Sequence, residues 1–98
     1  MARFDVFRGV DEPGYLLDCQ ADILSGYGTR VVVPLLALDE RPKLARLNPV
    51  FAIDDGTFVM MTQIIFAIPE QELGRPVASL REEQDRIMAA LDMLLTGI

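Results

Sequence analysis

The chain has 98 residues, of which 51% are hydrophobic, and its 9 basic and 15 acidic residues give a net charge of −6. This length predicts a single domain over residues 1–98. The acidic balance argues against nucleic-acid binding through a broad basic face, and one cysteine without any histidine excludes an internal disulfide and a zinc motif.

The hydrophobic content is high for a domain of this size, which predicts that the chain pairs with a second copy of itself. The apolar stretches are far shorter than the ~20 residues of a membrane-crossing helix, and the amino-terminal residues lack the apolar core of a signal peptide. We therefore expect a cytoplasmic homodimer without membrane contact.

Strand patterns occupy the first part of the chain. "RFDVF" alternates, "GVDEPG" predicts a turn, and "YLLDCQ" predicts a second strand that completes a hairpin. Cys19 in that strand is expected to be a small buried hydrophobic residue rather than a nucleophile. "ADILSGYGT" then predicts a loop that carries Ile23 and Leu24, which either fill the core or remain exposed.

The next strand, "RVVVPLL", is rich in β-branched residues and is predicted to be buried, with Pro34 either ending it or marking an edge or bulge. Residues 38–49 lack strand alternation and predict a loop with room for one helical turn. "VFAI" and "TFVMMT" flank Asp54-Asp55-Gly56, which predicts a tight hairpin. "IIFAIP" predicts a further strand that ends at Pro69, and "QELGRPV" predicts a turn plus a short strand at most.

One helix is predicted from about Leu80 to Leu95. Ser79 and Glu82 have the spacing of a capping box, acidic residues follow in the first turns, and Gly97 lies where a helix commonly ends. Its apolar residues recur at helical spacing: Leu80, Ile87, Met88, Leu91, Leu94, Leu95 and Ile98. Five or more antiparallel strands before one long C-terminal helix predict an α+β protein with an SH3-like or barrel-like sheet.

Residues for catalysis are lacking in the sequence. Histidine is absent, no phosphate-binding or dinucleotide-binding motif occurs, and "SGYGT" is typical of a flexible loop. The pair Asp54 and Asp55 is explained by the turn rather than by a metal ion. We therefore expect a protein that is not an enzyme and that has no catalytic residues, no metal and no cofactor.

A cluster of three basic residues stands out on this acidic chain. Arg41, Lys43 and Arg46 lie between two prolines. They form either a solvated loop or a docking point for an acidic peptide, which charge-assisted hydrogen bonds would favour.

The motifs taken together resemble the CcdB family of toxins from toxin–antitoxin systems, over essentially the whole chain. The resemblance is carried by "QADI", "VVPL", "LNPVFAIDDGTFVMMT" and the terminal "GI", in the same order. It implies a homodimer with the fold shared with MazF-type toxins. It also implies that the ends of the two C-terminal helices bind the DNA gyrase A subunit and trap gyrase on cleaved DNA, without catalysis by the toxin.

The resemblance implies two further partners and a role in plasmid maintenance. A CcdA-like antitoxin lays an acidic segment on the toxin and frees gyrase, and we assign its contact to Arg41, Lys43 and Arg46. The toxin–antitoxin complex represses its own operon, and the toxin meets DNA only indirectly, through the antitoxin.

The tail departs from the family pattern. The family's Trp-Gly-Ile is Thr96-Gly97-Ile98 here, the family's asparagine is Asp92, and its phenylalanine is Leu95. An aromatic anchor at an interface is worth about 2 kcal/mol, so the loss of tryptophan matters. The gyrase-binding residues implied by the resemblance are Ile23, Leu24, Asp92, Leu95, Thr96, Gly97 and Ile98.

Three functions remain open. The chain is a gyrase poison with an altered tail, a degenerate or retargeted relative that binds antitoxin without stalling gyrase, or a MazF-like ribonuclease. A ribonuclease of that kind would use Arg8 or Arg30 beside Thr29, although the acidic balance argues against RNA.

Overall fold

The computed structural model describes residues 2–9, 14–38 and 44–98. The elements are the strands β1 (Asp5–Arg8), β2 (Tyr15–Asp18), β3 (Thr29–Ala37), β4 (Val50–Ile53), β5 (Gly56–Met60), β6 (Phe66–Pro69) and β7 (Ala78–Ser79), and the helix α1 (Gln84–Thr96). Among the residues that the structure describes, four short 3₁₀ turns lie at Asp22–Leu24, Thr62–Ile64, Glu70–Glu72 and Arg81–Glu83. Within the described ranges, no helix is long and apolar enough to cross a membrane.

The strand pairs in the described part of the chain are all antiparallel, and the sheet is a nearly closed barrel. The order is β4-β5-β3-β2-β1-β7, and β6 joins the same edge of β3 as β5 does. β3 is long enough for both partners: its first half pairs with β6 and its last residues pair with β5. The predicted α+β class, with a barrel-like sheet before one helix, is confirmed.

The prediction that Pro34 ends its strand is wrong, whereas the alternative that it marks an edge holds locally. Pro34 pairs with Leu16 of β2 in the middle of β3, and on the opposite edge it falls between the residues that pair with β6 and those that pair with β5. A residue's N–H and C=O point to the same edge of a strand, and the Pro34 carbonyl accepts the Met61 N–H at 2.9 Å, on the side of β5 and β6. The missing N–H therefore falls in the gap between those two partners, where no ladder bond is lost.

The alternation of strand side chains fills two cores. Val6, Leu17 and Val33 belong to a large cluster with the helix residues Ile87 and Leu91. Residues of the opposite face form a smaller cluster: Phe7, Leu16, Val32, Ile68 and Leu73. Both faces of the sheet therefore carry buried side chains.

The predicted hairpin is confirmed, and so is the helical turn that precedes it. Ile53 pairs with Gly56 across a two-residue turn, in which Asp54 has φ = 52°, a value that Asp tolerates better than most residues. In the described part of the 38–49 loop, the Asn48 N–H donates to the Leu44 carbonyl at 2.8 Å, which closes one helical turn. β6 ends at Pro69, as predicted.

The predicted capping box is wrong, and α1 begins later than expected. Ser79 lies in β7 opposite Asp5, and its hydroxyl accepts the Arg81 N–H at 3.3 Å. The Leu80 N–H donates to the Phe4 carbonyl at 2.9 Å, so pairing with β1 holds this segment in the sheet. The chain then passes through a 3₁₀ turn, and the α-helix starts only at Gln84.

Candidate functional site

The end of α1 is an exposed apolar surface. The apolar stripe predicted for the helix divides: Ile87 and Leu91 are buried against the sheet, whereas Leu95 is 76% exposed and Ile98 is 74% exposed. Gly97 ends the helix in the left-handed region at φ = 76°, where glycine carries no side-chain penalty. Its N–H donates to the Met93 carbonyl at 3.0 Å. The last turn is therefore ordered but leaves two large apolar side chains in solvent.

Two polar residues complete this end of the helix. The Thr96 hydroxyl donates a hydrogen bond to the Asp92 carbonyl at 2.7 Å, four residues earlier, so it is satisfied within the helix. Asp92 and Thr96 are both exposed. The tail residues Asp92, Leu95, Thr96, Gly97 and Ile98 thus lie within two helical turns at one exposed end of the molecule.

The Ile23–Leu24 loop is a second exposed apolar site. Ile23 is 88% exposed and Leu24 is 42% exposed, so they are surface residues rather than core filling. The buried Gln20 holds this loop: its side-chain amide donates to the Leu24 carbonyl at 3.0 Å, and its side-chain oxygen accepts the Val31 N–H at 3.2 Å. Within the described ranges, no hydrogen bond joins this loop to the end of α1. Tyr27, which the sequence analysis did not single out, is exposed nearby in sequence.

Arg46 contacts the tail. Its guanidinium donates a hydrogen bond to the backbone oxygen of Ile98. Arg41 and Lys43, the other two members of the predicted basic cluster, lie outside the described residues. Arg46, one of the three residues assigned to the antitoxin, therefore contacts Ile98, which was assigned to gyrase.

A second arginine, which sequence reasoning missed, lies beside Arg46. Arg86 on α1 stacks on the Phe51 ring, with its guanidinium carbon 4.7 Å from the ring centroid. Its Nη2 donates to the Val50 carbonyl at 2.8 Å, and its Nη1 pairs with Glu83 at 3.1 Å. A small cavity of about 110 Å³ is lined by Ala45, Arg46, Pro49, Arg86 and Ala89. The sequence contains one indication of this role, because Arg86 is the only basic residue of α1.

Arg30 is an internal structural residue. Its Nε and Nη2 donate to Oδ2 of Asp18 at 2.9 and 2.6 Å, and both side chains are fully buried. Burial raises the pKa of the Asp18 carboxyl, and the hydrogen bonds from Arg30 and from the Gln20 N–H oppose that rise. Arg30 cannot reach a substrate from this position. Of the residues considered for ribonuclease chemistry, only Arg8 and Thr29 are exposed.

Cys19 is buried, as expected, and burial raises the pKa of its thiol to about 12. A thiol with such a pKa stays protonated near neutral pH, so it is a poor nucleophile. Among the residues that the structure describes, no group of three or more acidic, cysteine or histidine side chains is placed to hold a metal ion.

Comparison with known proteins gives a family and a fold. The family model for the CcdB protein matches residues 3–97. Among solved structures, the chain is similar to an endoribonuclease in complex with its cognate antitoxin from a mycobacterial species. The identity is 16%, the TM-score is 0.78, and the match covers 97% of this chain and 94% of that chain. At this identity, the likeness establishes the shared fold.

Proposed function

From the premise that this chain belongs to the CcdB family, we propose that it is the toxin of a toxin–antitoxin pair and that it acts by binding a protein target. The target is the A subunit of DNA gyrase, which the toxin holds on cleaved DNA. The toxin works as a homodimer, catalyses no reaction itself and is neutralised by a CcdA-like antitoxin.

The observation that carries this proposal is the exposed apolar end of α1. Burial of a Leu or Ile side chain stabilises a complex by roughly 1.5–3 kcal/mol, and Leu95 and Ile98 bury little of that surface within their own subunit. Exposed apolar side chains on an ordered element are typical of protein-binding sites. The end of this helix therefore suits a contact with another protein better than it suits a chemical reaction.

The altered tail bears on the alternative of a degenerate or retargeted toxin. Thr96 stands where the family has tryptophan, and threonine supplies neither the ring area nor the stacking of an aromatic anchor. Leu95, Gly97 and Ile98 still offer an apolar contact, which favours weaker gyrase binding over none.

A MazF-like ribonuclease is the second alternative, and it is supported by the likeness in fold to an endoribonuclease. The burial of Arg30 against Asp18 weighs against the ribonuclease, because Arg30, one of the two arginines proposed for catalysis, is then unable to contact RNA.

The deciding experiment incubates purified protein with gyrase and supercoiled plasmid, and measures linear DNA released after protein digestion. We expect cleaved DNA to accumulate with wild-type protein, and Leu95→Glu to abolish this effect because it places a charge in the apolar contact. No cleavage at saturating wild-type protein would contradict gyrase as the target. Labelled RNA incubated with the same protein tests the ribonuclease, and intact RNA removes that alternative.

A further inference from the structure

We propose that Arg3 is a positioning residue for the protein target, because it fastens the Ile23–Leu24 loop to α1 so that the loop and the end of the helix meet the target as one rigid surface. The inference rests on the proposed function for the use of this surface, and on the geometry of Arg3 for how the surface is held together.

Arg3 holds the base of the Ile23–Leu24 loop through two hydrogen bonds. Its backbone N–H donates to Oδ1 of Asp22 at 2.9 Å, on the residue directly before Ile23. Its side-chain Nε donates to the Cys19 carbonyl at 3.2 Å, directly after the end of β2. These bonds join the amino-terminal segment to both ends of the short stretch that leads into the loop.

The same side chain reaches α1. Its Nη2 donates to the sulfur of Met88 at 3.2 Å, and Met88 packs against the large core cluster. Met88 precedes Leu95 by seven residues, close to two full helical turns, so the two side chains lie on nearly the same face of α1. Among the described residues, Arg3 alone hydrogen-bonds both to the 19–24 segment and to α1. The loop is therefore tied to the helix face that carries the exposed Leu95.

The backbone next to Arg3 is held in a strained conformation. Phe4 has φ = 72°, in the left-handed region that a bulky residue rarely adopts. Its ring is buried, its N–H donates to the Asp18 carbonyl at 2.6 Å, and its carbonyl accepts the Leu80 N–H at 2.9 Å. The guanidinium carbon of Arg3 lies 4.9 Å from the centroid of that ring. A strained residue persists only where its surroundings hold it in place, and here they fix the direction in which the Arg3 side chain leaves the backbone.

A fixed arrangement of the loop and the helix matters because both must contact one target at once. Ile23 and Leu95 are largely exposed on separate elements, so their relative position depends on what joins those elements. A surface that is already ordered loses less conformational entropy on binding than a mobile one. Arg3 therefore raises affinity through the position of other side chains and not through a contact of its own.

The binding test measures the affinity of fluorescently labelled protein for the purified gyrase A subunit by anisotropy. Arg3→Met keeps an apolar stem over the Phe4 ring but removes the side-chain donors, and it should weaken binding about tenfold. Arg81→Met is the matched control, because it removes the same charge from the lining of the cavity that Arg3 also lines, and it should change affinity less than about threefold. Arg3→Lys keeps the charge but cannot donate in two fixed directions, so it should bind as weakly as Arg3→Met. Full affinity of the Arg3→Lys variant would show that charge alone is sufficient and would contradict the positioning role.

Backbone ¹⁵N relaxation of the free protein tests the positioning without gyrase. Arg3→Met should lower the order parameters of Ile23 and Leu24 from the rigid range near about 0.85 to below about 0.6. Those of the hairpin turn at Asp54 and Asp55 should stay unchanged, because Arg3 makes no hydrogen bond there. Unchanged values at Ile23 and Leu24, or an equal fall in the hairpin turn, would overturn the proposal even if affinity falls.

A double-mutant cycle separates positioning from general loss of stability. Ile23→Ala should weaken gyrase binding by about tenfold in the wild-type background but by less than about threefold in the Arg3→Met background, because a loop that is no longer held in place gains less from its Ile23 contact. Equal losses in both backgrounds would mean that Arg3 does not act through the loop. If the wild-type protein fails to bind the gyrase A subunit, the gyrase target alone is contradicted, and the order parameters still decide whether Arg3 positions the loop.

Discussion

Arg30 and Asp18 meet inside the protein through a single carboxylate oxygen. Two guanidinium nitrogens donate to Oδ2 at 2.9 and 2.6 Å, while Oδ1 accepts the Gln20 N–H at 3.1 Å. The third guanidinium nitrogen, Nη1 of Arg30, is buried and has no partner among the described residues. Both carboxylate oxygens of Asp18 thus have hydrogen-bond partners, whereas one guanidinium nitrogen of Arg30 has none. This difference affects the contribution of the pair to stability.

Substitution of Arg30 alone should lower the free energy of unfolding more than substitution of both Arg30 and Asp18. Arg30→Met leaves the Asp18 carboxylate buried without its cation and should lower the free energy of unfolding by about 3–5 kcal/mol. The double substitution of Arg30 by Met and Asp18 by Leu removes both charges and the orphaned donor, so it should recover part of that loss; the remainder reflects the Gln20 N–H, which loses its acceptor. Urea unfolding at pH 7 measures both values. A double variant as unstable as Arg30→Met would contradict this interpretation.

The penalty of Arg30→Met should depend on pH. Burial already raises the pKa of Asp18, so the folded state favours the protonated acid. Loss of Arg30 removes an interaction that opposes this rise, and the pKa therefore rises further. Below the ordinary carboxyl pKa, Asp18 is neutral in both the folded and the unfolded state, and the stability lost through Arg30→Met is smallest. This loss grows as pH rises from the folded-state pKa of Asp18 in the wild-type protein to its higher folded-state pKa in the variant. Unfolding curves at pH 4 and pH 7 test this trend, and a penalty equal at both values would contradict it.

Cys19 should make the protein less stable in alkali. The pKa of its thiol is raised to about 12 from an ordinary value of 9.0, so above pH 9 the unfolded chain loses a proton that the folded chain keeps. The free energy of unfolding should then fall by up to about 1.4 kcal/mol per pH unit between pH 9 and 12. Cys19→Ala serves as the control, because other groups titrate equally in both proteins. Identical slopes for the two proteins between pH 9 and 10.5 would show that the thiol is not protected.

Thr96→Trp should strengthen gyrase binding. The side chain is exposed, so a ring fits without rearrangement of the core, and an interfacial tryptophan contributes about 2 kcal/mol, or roughly 30-fold in affinity. The matched control, Thr96→Val, removes the hydroxyl that bonds to the Asp92 carbonyl but adds no ring, and it should leave affinity near the wild-type value. Fluorescence anisotropy with the purified gyrase A subunit measures both. Unchanged affinity on addition of the ring would show that the tail is not the contact.

Local patterns were sufficient for the elements that depend on neighbouring residues alone. Asp54 and Asp55 between two apolar runs predicted the hairpin, and the recurring apolar residues before Gly97 predicted the helix and its end. The position of Pro34 could not be interpreted in this way, because its tolerance depends on which edge of β3 faces the gap between two distant strands. The capping box failed for a similar reason, since pairing with β1 holds Ser79 in the sheet.

The candidate site was predicted only in part. The exposed tail followed from the sequence and the family resemblance, and Leu95 and Ile98 are exposed as a binding surface requires. The proximity of Arg46 to Arg86 and Ile98 was not predictable, since it arises where two segments far apart in sequence, the 44–49 turn and the C-terminal helix with its end, converge. The partner of Arg30 was hidden for the same reason, although Asp18 and Arg30 lie on the adjacent strands β2 and β3.

The pairing of Asp5 with Ser79 has a consequence for how the chain reaches this structure. β1 is joined to β7 across most of the sequence, and the middle strand β3 needs partners from both before and after it. Such distant pairings lose much chain entropy before they gain contacts, which places folding in the slower range of milliseconds to seconds. Until β5 and β6 pair with it, the β-branched edge of β3 stays open to pairing with other chains, so the period of greatest aggregation risk precedes docking of the helix.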